Sequence, residues 1–300
     1  MRFSFLLVEA ALLATSLVSA AAIEQRQAAT KVYTFSSPKS AEGIAARSNG
    51  QLLVSFFDKG EVWTLDPTTQ KASKLATFEG ATCSAGITEI APDVFGVVAG
   101  QYGGAGGSTK GSWGIWKIDF TSGTAKTSLL KKVPESEMWN GLTTLNNNTI
   151  LIGDALKGAI FRMDTTTGAY SVAIQDPTLA KAASGIPMGI DGLRYFNGTV
   201  YFTNISKNTL LKVPVDQTGK ATGSITTIWS STQADDMAIG PDGSAYVAAG
   251  SKIQKVTVDG KVSTAGTVAG STSCTLGRTE ADKNTLYVAS NNGQISALKV

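Results

Sequence analysis

Four oxygen-bearing side chains recur at one place in this sequence, each just ahead of a run of β-forming residues. They are Glu42 in Glu42-Gly43-Ile44, Asn140 in Asn140-Gly141-Leu142, Asp191 in Asp191-Gly192-Leu193 and Asp235 in Asp235-Asp236-Met237. Two further units carry Ala85-Gly86-Ile87 and Leu276-Gly277-Arg278 at the same expected place. Carboxylates brought together repel unless a cation, a proton or donor hydrogen bonds compensate them. Such a cluster could bind a hard cation, do acid–base work or polarise a bound carbonyl. The structural alternative is turn capping, which Asp and Asn commonly perform through local backbone N–H groups.

Other chemistry is excluded by composition. The chain has no histidine, so a Ser-His-Asp triad, a Cys-His pair and imidazole metal ligation are all ruled out. Two distant cysteines, Cys83 and Cys274, cannot make a zinc site alone. The Gly-rich stretch "GQYGGAGGSTKGSWG" lacks the Gly-Lys-Ser/Thr of a phosphate loop and reads as a long hairpin turn or a flap. A net charge of +3 without a basic stripe argues against nucleic-acid binding.

The elements that must position the four residues come from an internal repeat. Segments ending in Asp recur as "EVWTLD", "GIWKID", "AIFRMD", "LLKVPVD" and "IQKVTVD", and "QISALKV" closes the chain. Each follows a hairpin-like strand pair around an Asn-, Asp-, Gly- or Pro-rich turn, as in "GLRYFNGTVYFTN". Six such units predict an all-β fold, a six-bladed β-propeller over residues 31–300, because no unit buries both faces alone. The segment "KVYTFS" is expected to supply the outer strand of the last blade, which removes a free edge. The first strand of each blade then lines a channel, and the residue ahead of it sits at the channel mouth.

Residues 1–20 read as a secretory signal peptide ending in Val18-Ser19-Ala20, with 21–30 an N-terminal segment. Localisation in the secretory pathway or outside the cell follows, with no membrane span expected after cleavage. Asn147, Asn197 and Asn204 head glycosylation sequons. In an oxidising compartment Cys83 and Cys274 are expected to pair, the alternative being two buried thiols. Near the mouth, Met138, Trp139 and Met188 are expected as apolar pocket walls and Asp236 as a further polar contact, a make-up suited to small apolar or aromatic substrates.

These residues resemble the gluconolactonase and regucalcin-like six-bladed propellers over roughly residues 31–300. In that family a Glu and Asn/Asp residues at the mouth hold a divalent cation, and an Asp is the proposed base for lactone opening. By motif the resemblance carries those roles to Glu42, Asp191 and Asp235, and more loosely to Asn140. The sequence departs from the pattern at "EGIAA", "WNG" and "SEMW", which keep oxygen ligands but lose features suited to an anionic sugar lactone.

Phrases such as "GIAARSNGQLLVS", "GITEIAPDVFGVVAG" and "LGRTEAD" look closer to secreted fungal propellers, some of which are hetero-Diels–Alderases that join a tropolone ortho-quinone methide to a humulene-type alkene. That resemblance implies a pericyclase without cofactor, in which Asn140, Asp191 and Asp235 steer the polar reactant and Asn140 is the easier hydrogen-bond donor. The alternatives are a lactonase or esterase using calcium or another divalent cation on Glu42, Asn140, Asp191 and Asp235, and a noncatalytic binding propeller. Oligomeric state is not legible in the sequence.

Overall fold

In the computed structural model, residues 27–103, 107–230 and 233–300 are described. The predicted leader and most of the N-terminal segment lie outside them. All regular structure among the described residues is β-strand. Four antiparallel four-stranded sheets follow in chain order. They begin with the inner strands Ala41–Ala46, Cys83–Ala91, Trp139–Asn146 and Ile190–Phe196, and each runs outward through three further strands.

The remaining strands form one continuous sheet that contains two such units. Strand Ala245–Val256 pairs with inner strand Met237–Ile239 through its first half and with Val262–Leu276 through its second. Strand Val262–Leu276 pairs forward with Thr285–Ser290 through its second half. Gly250 and Gly270, both at positive φ near 67°, stand where each long strand changes partner. Only glycine takes that conformation without strain, so each long strand does the work of two. Blade 5 is therefore built on Met237–Ile239 and blade 6 on the second half of Val262–Leu276. Blade 6 is closed by the N-terminal strand Thr30–Thr34, antiparallel to Gln294–Lys299. The six-bladed all-β reading and its N-terminal closure are both met.

One unit is placed differently from the expectation. Leu276-Gly277-Arg278 does not open blade 6: Leu276 ends its inner strand, opposite Leu286. Arg278 lies at the other end of the channel, donating to the Ala46 carbonyl at 3.2 Å and to Glu89 at 2.6 Å. The turn-rich run after residue 277 imitates the inner-strand hairpin of the other units.

Apolar clusters fill the spaces between blades. One joins Trp113 and Ile115 of blade 2 to Trp139, Leu142 and Phe161 of blade 3, and another joins Leu145 and Ile160 to Leu193 and Phe202. Cys83 is buried in the first of these, whereas Cys274 is buried between blades 5 and 6 with Sγ 3.1 Å from the Tyr246 carbonyl. Both are free thiols, so the expected disulfide is corrected: each cysteine belongs to the core of a different blade pair. Burial holds both thiols above the usual thiol range. Within the Gly-rich insert Tyr102 bridges Ser108, and the Trp113 Nε1–H donates to Ser108 Oγ at 2.7 Å.

Candidate functional site

The site is made by a repeated irregularity of the inner strands. In blade 1 Ala41 faces Phe56 but Ile44 faces Val54, so one extra residue is inserted. The same step occurs between Ser84 and Ile87, Trp139 and Leu142, and Ile190 and Leu193. A β-bulge of this kind re-aims a side chain and bends the strand. Residues three apart, such as Trp139 and Leu142 or Ile190 and Leu193, thereby both enter the core. Of the two residues between them, the first, Asn140 or Asp191, is released toward the channel and the second is glycine.

Register extends the equivalence to the fused blades. Met237 stands opposite Val247 and Cys274 opposite Val288, as Leu193 stands opposite Phe202. Asp235 and Thr272 therefore occupy the position of Asp191. The full ring is Glu42, Ala85, Asn140, Asp191, Asp235 and Thr272, one residue per blade. Thr272 donates to the Ala41 carbonyl at 2.9 Å and so ties blade 6 to blade 1.

The glycine that follows the ring residue in blades 1 to 4 explains how closely the blades approach. A methyl group on Gly86 would lie 2.4 Å from the Asn140 carbonyl oxygen, and one on Gly141 would lie 2.1 Å from that of Asp191. Gly43 meets the Ala85 carbonyl oxygen at 2.6 Å in the same way. Each bulge thus rests on the bulge of the next blade, where a side chain cannot fit. Blade 5 replaces this glycine by Asp236. Its carboxylate takes Arg194 Nη2 and Ser273 Oγ, each at 2.7 Å, linking blades 4, 5 and 6. Asp236, expected to contact substrate, is instead engaged in this partly buried ion pair.

Carboxyl oxygens of Glu42, Asp191 and Asp235 lie within 4.8 Å of one another. Asp191 and Asn140 are 3% and 5% exposed, and Glu42 and Asp235 open partly to the channel. Asn140 Nδ2 donates to Asp191 Oδ1 and its amide also bonds Glu42. Burial, then the charges of Asp191 and Asp236, pushes the Glu42 carboxyl up to about 8. Burial and Asp236 push Asp191 up to about 7, against hydrogen bonds from Asp235 and Asn140. Asp235 is held well above the carboxylate range by burial, then by Asp191 and Glu42, and shares a hydrogen bond with Asp191. Three acids this close cannot all ionise in a desolvated site, so the ring retains protons at neutral pH.

The sequence-predicted residues divide cleanly. Glu42, Asn140, Asp191 and Asp235 converge. Met138 and Trp139, expected as pocket walls, are fully packed in the core of blades 2 and 3, because the bulge turns Trp139 inward onto Phe161 at 5.6 Å. Met188 is half-buried on the same cluster. Beside the ring, a cavity of about 310 Å³ is lined by Ile186, Ile205, Gln233, Asp235, Gly250, Ser251, Gly270, Ser271 and Asn291. Sequence reasoning missed its blade 5 and 6 walls because the hairpins there are hidden in two long strands. A larger cleft of about 540 Å³ lies between blades 1 and 6 at the turns Asn49–Gln51 and Asp66–Thr69, away from the acids.

Two of the three predicted glycan acceptors, Asn147 and Asn197, are exposed. Asn204 is fully buried, and its Nδ2 donates to the carbonyls of Thr178 and Ala180, both at 2.9 Å. It is corrected from a glycan site to a clamp on the loop between blades 3 and 4. Among the described residues no helix is long and apolar enough to cross a membrane.

No protein-family profile matches the chain. A protein of Phoma sp. carrying the provisional name hetero-Diels–Alderase is 28% identical to it, over 83% of each chain. A second, from Sarocladium schorii and provisionally named likewise, is 23% identical over 60% of this chain, which spans 52% of that relative. Among solved structures, the calcium-binding protein regucalcin from Agrobacterium tumefaciens superposes with a TM-score of 0.63 at 16% identity, covering 86% of this chain and 89% of its own. A gluconolactonase from Xanthomonas campestris superposes with a TM-score of 0.65 at 13% identity, covering 93% of both chains. The fold is the gluconolactonase/regucalcin-like propeller, and the sequence is similar to proteins named for cycloaddition.

Proposed function

We propose that the chain catalyses an intermolecular hetero-Diels–Alder cycloaddition at the channel mouth, between a tropolone-derived ortho-quinone methide and a humulene-type alkene. The observation that carries this reading is the convergence of Glu42, Asp191 and Asp235 beside a cavity with isoleucine on one wall. In such a reaction the C=C–C=O unit and the alkene exchange two π bonds for one C–O and one C–C σ bond, with no net proton transfer. Catalysis then needs positioning and polarisation only. Oriented binding supplies up to ~7–11 kcal/mol, and a donor on the carbonyl oxygen withdraws electron density as bonds form. Glu42, as a neutral carboxyl, is the donor, whereas the single O–H of a neutral Asp235 is taken by Asp191. Asn140 takes a positioning role, since its Nδ2 is engaged by Asp191.

The test is cycloadduct formation by purified protein from the two reactants. The product should form with one stereochemistry, and chelator should leave the rate within twofold. Glu42→Ala should slow it by about 100-fold, the typical loss for one preorganised donor. A racemic product formed at the same rate without protein would overturn the assignment.

A second reading is favoured by the donor set itself. Three carboxylates and the Asn140 amide suit a hard divalent cation such as calcium. Glu42, Asp191, Asp235 and Asn140 would hold it, and the cation would supply Lewis-acid polarisation of an ester or lactone carbonyl. Chelator-sensitive lactone hydrolysis, with no stereocontrolled cycloadduct, would select this reading.

A further inference from the structure

The turns that follow the third strands of blades 1 to 4 repeat one device. Asp66, Asp119, Asp164 and Asp216 each accept the backbone N–H two residues ahead, at 2.8–2.9 Å. Blade 6 has no such turn, because its outer strand Thr30–Thr34 enters from the N-terminal side. Register puts Lys299 where those aspartates stand: it faces Thr285, as Asp164 faces Thr149 and Asp119 faces Val94. The cleft of about 540 Å³ between blades 6 and 1 opens at this gap. Its floor is set by the sheet rather than by loops. Thr285 and Tyr287 line it at 5% and 6% exposure, and Lys299 Nζ donates to Thr285 Oγ1 at 2.7 Å. Asp282 borders the floor, accepting from the Thr279 N–H at 2.7 Å and from the Tyr287 hydroxyl at 3.2 Å. The facing wall, from blade 1, carries Asn49, Gln51 and Asp66.

We infer that this cleft is a second binding site, separate from the acid ring, and that it takes a neutral saccharide. The inference does not depend on the cycloaddition reading. The cleft falls within the roughly 300–1,000 Å³ usual for small-molecule pockets. Both signs of charge meet in it: Asp66 and Asp282 oppose an anion, and Lys299 opposes a cation. A sugar avoids both penalties, because each of its hydroxyls donates and accepts. It can donate to the two carboxylates, whose lone pairs outnumber the bonds their own turns make, and accept from Lys299, whose ammonium carries more donors than Thr285 uses. Val32, Pro67 and Ala281 add apolar surface for the C–H face of a sugar ring. The cleft lies away from the mouth, so its occupation leaves Glu42 and Asp235 open.

An amide chemical-shift titration of the full chain with glucose, mannose, trehalose and maltose tests the inference, with inorganic phosphate and putrescine as charged probes. At least one sugar should bind in the millimolar range, and neither charged probe should. Lys299→Met, at an exposed position, should weaken that sugar about tenfold, the loss of one charge-assisted hydrogen bond. Asp282→Asn should weaken it comparably, with a thermal melt confirming that the variant is folded. Glu42→Gln, at the acid ring, should leave the affinity unchanged. Binding of none of the four sugars overturns the assignment, as does an affinity indifferent to Lys299→Met. Sugar binding lost in Glu42→Gln would move the saccharide to the acid ring and overturn it too. Phosphate or putrescine binding more tightly than any sugar would make the cleft an ion site instead.

Discussion

Asn140 donates its side-chain amide to Asp191 across the boundary between blades 3 and 4, and the same amide bonds Glu42 of blade 1. One neutral residue thereby spaces two acids that would otherwise meet without a donor between them. Its replacement tests whether the ring acts as a unit. Asn140→Ala should fold, raise both carboxyl pKa values further and lower turnover about tenfold. Asn140→Gln should recover part of the loss if its longer amide reaches either acid. Steady-state kinetics across pH, beside a thermal melt, checks both; an unchanged pH profile would remove Asn140 from the site.

The ring makes stability depend on pH in a stated direction. Glu42 and Asp191 hold protons in the folded chain up to about 8 and about 7, whereas unfolded carboxyls ionise near ~4. Between those limits the folded chain binds more protons than the unfolded one, so stability falls as pH rises and levels off above ~8. Without added divalent cation, the melting temperature should drop by several degrees between about pH 5 and 8. Glu42→Gln and Asp191→Asn should each flatten the slope and raise the melting temperature at pH 8 while impairing activity. A wild-type melting curve indifferent to pH would contradict the proton-retaining ring.

Gly141 bears a steric load that its exposed counterparts do not. A methyl group there would sit 2.1 Å from the Asp191 carbonyl oxygen, whereas at Gly103 the nearest atom among the described residues, the Gly107 carbonyl oxygen, is 3.9 Å away. Gly141→Ala should cost about 3 kcal/mol by forcing two blades apart, and Gly103→Ala almost nothing. Denaturant titration of the two variants decides it, and equal midpoints would refute the bulge-on-bulge contact.

The separation of Cys83 and Cys274 predicts two thiols per chain that react only after unfolding. Reductant should leave the melting temperature unchanged. A native chain with no titratable thiol even in denaturant would show that the cysteines had paired.

Asn204 is expected to matter as a clamp. Asn204→Ala removes the donor to the carbonyls of half-buried Thr178 and Ala180 and should destabilise by about 1–2 kcal/mol. Mass spectrometry of the protein expressed through a glycosylating host's secretory route should find glycan at Asn147 and Asn197 at most. Glycan on Asn204 would require a different arrangement of the loop around Thr178 and Ala180.

Six strand units, their closure by the N-terminal segment and the convergence of Glu42, Asn140, Asp191 and Asp235 were all legible in the chain itself. The reason is that alternation and turn chemistry are local, and a repeat marks equivalent positions wherever they lie. Trp139 shows where local reading stops. Its neighbour Asn140 reaches the channel, yet one inserted residue per inner strand decides that Trp139 faces the core with Leu142. Blade 6 shows the same limit, because Thr272 takes the ring position only through its pairing with Thr285–Ser290, while Gly277 resembles the repeat more closely. The thiols and the Asp236–Arg194 pair likewise depend on which blades become neighbours. The sequence alone determined what chemistry the channel could hold; packing of one blade on the next decided which way each side chain points and which protons it keeps.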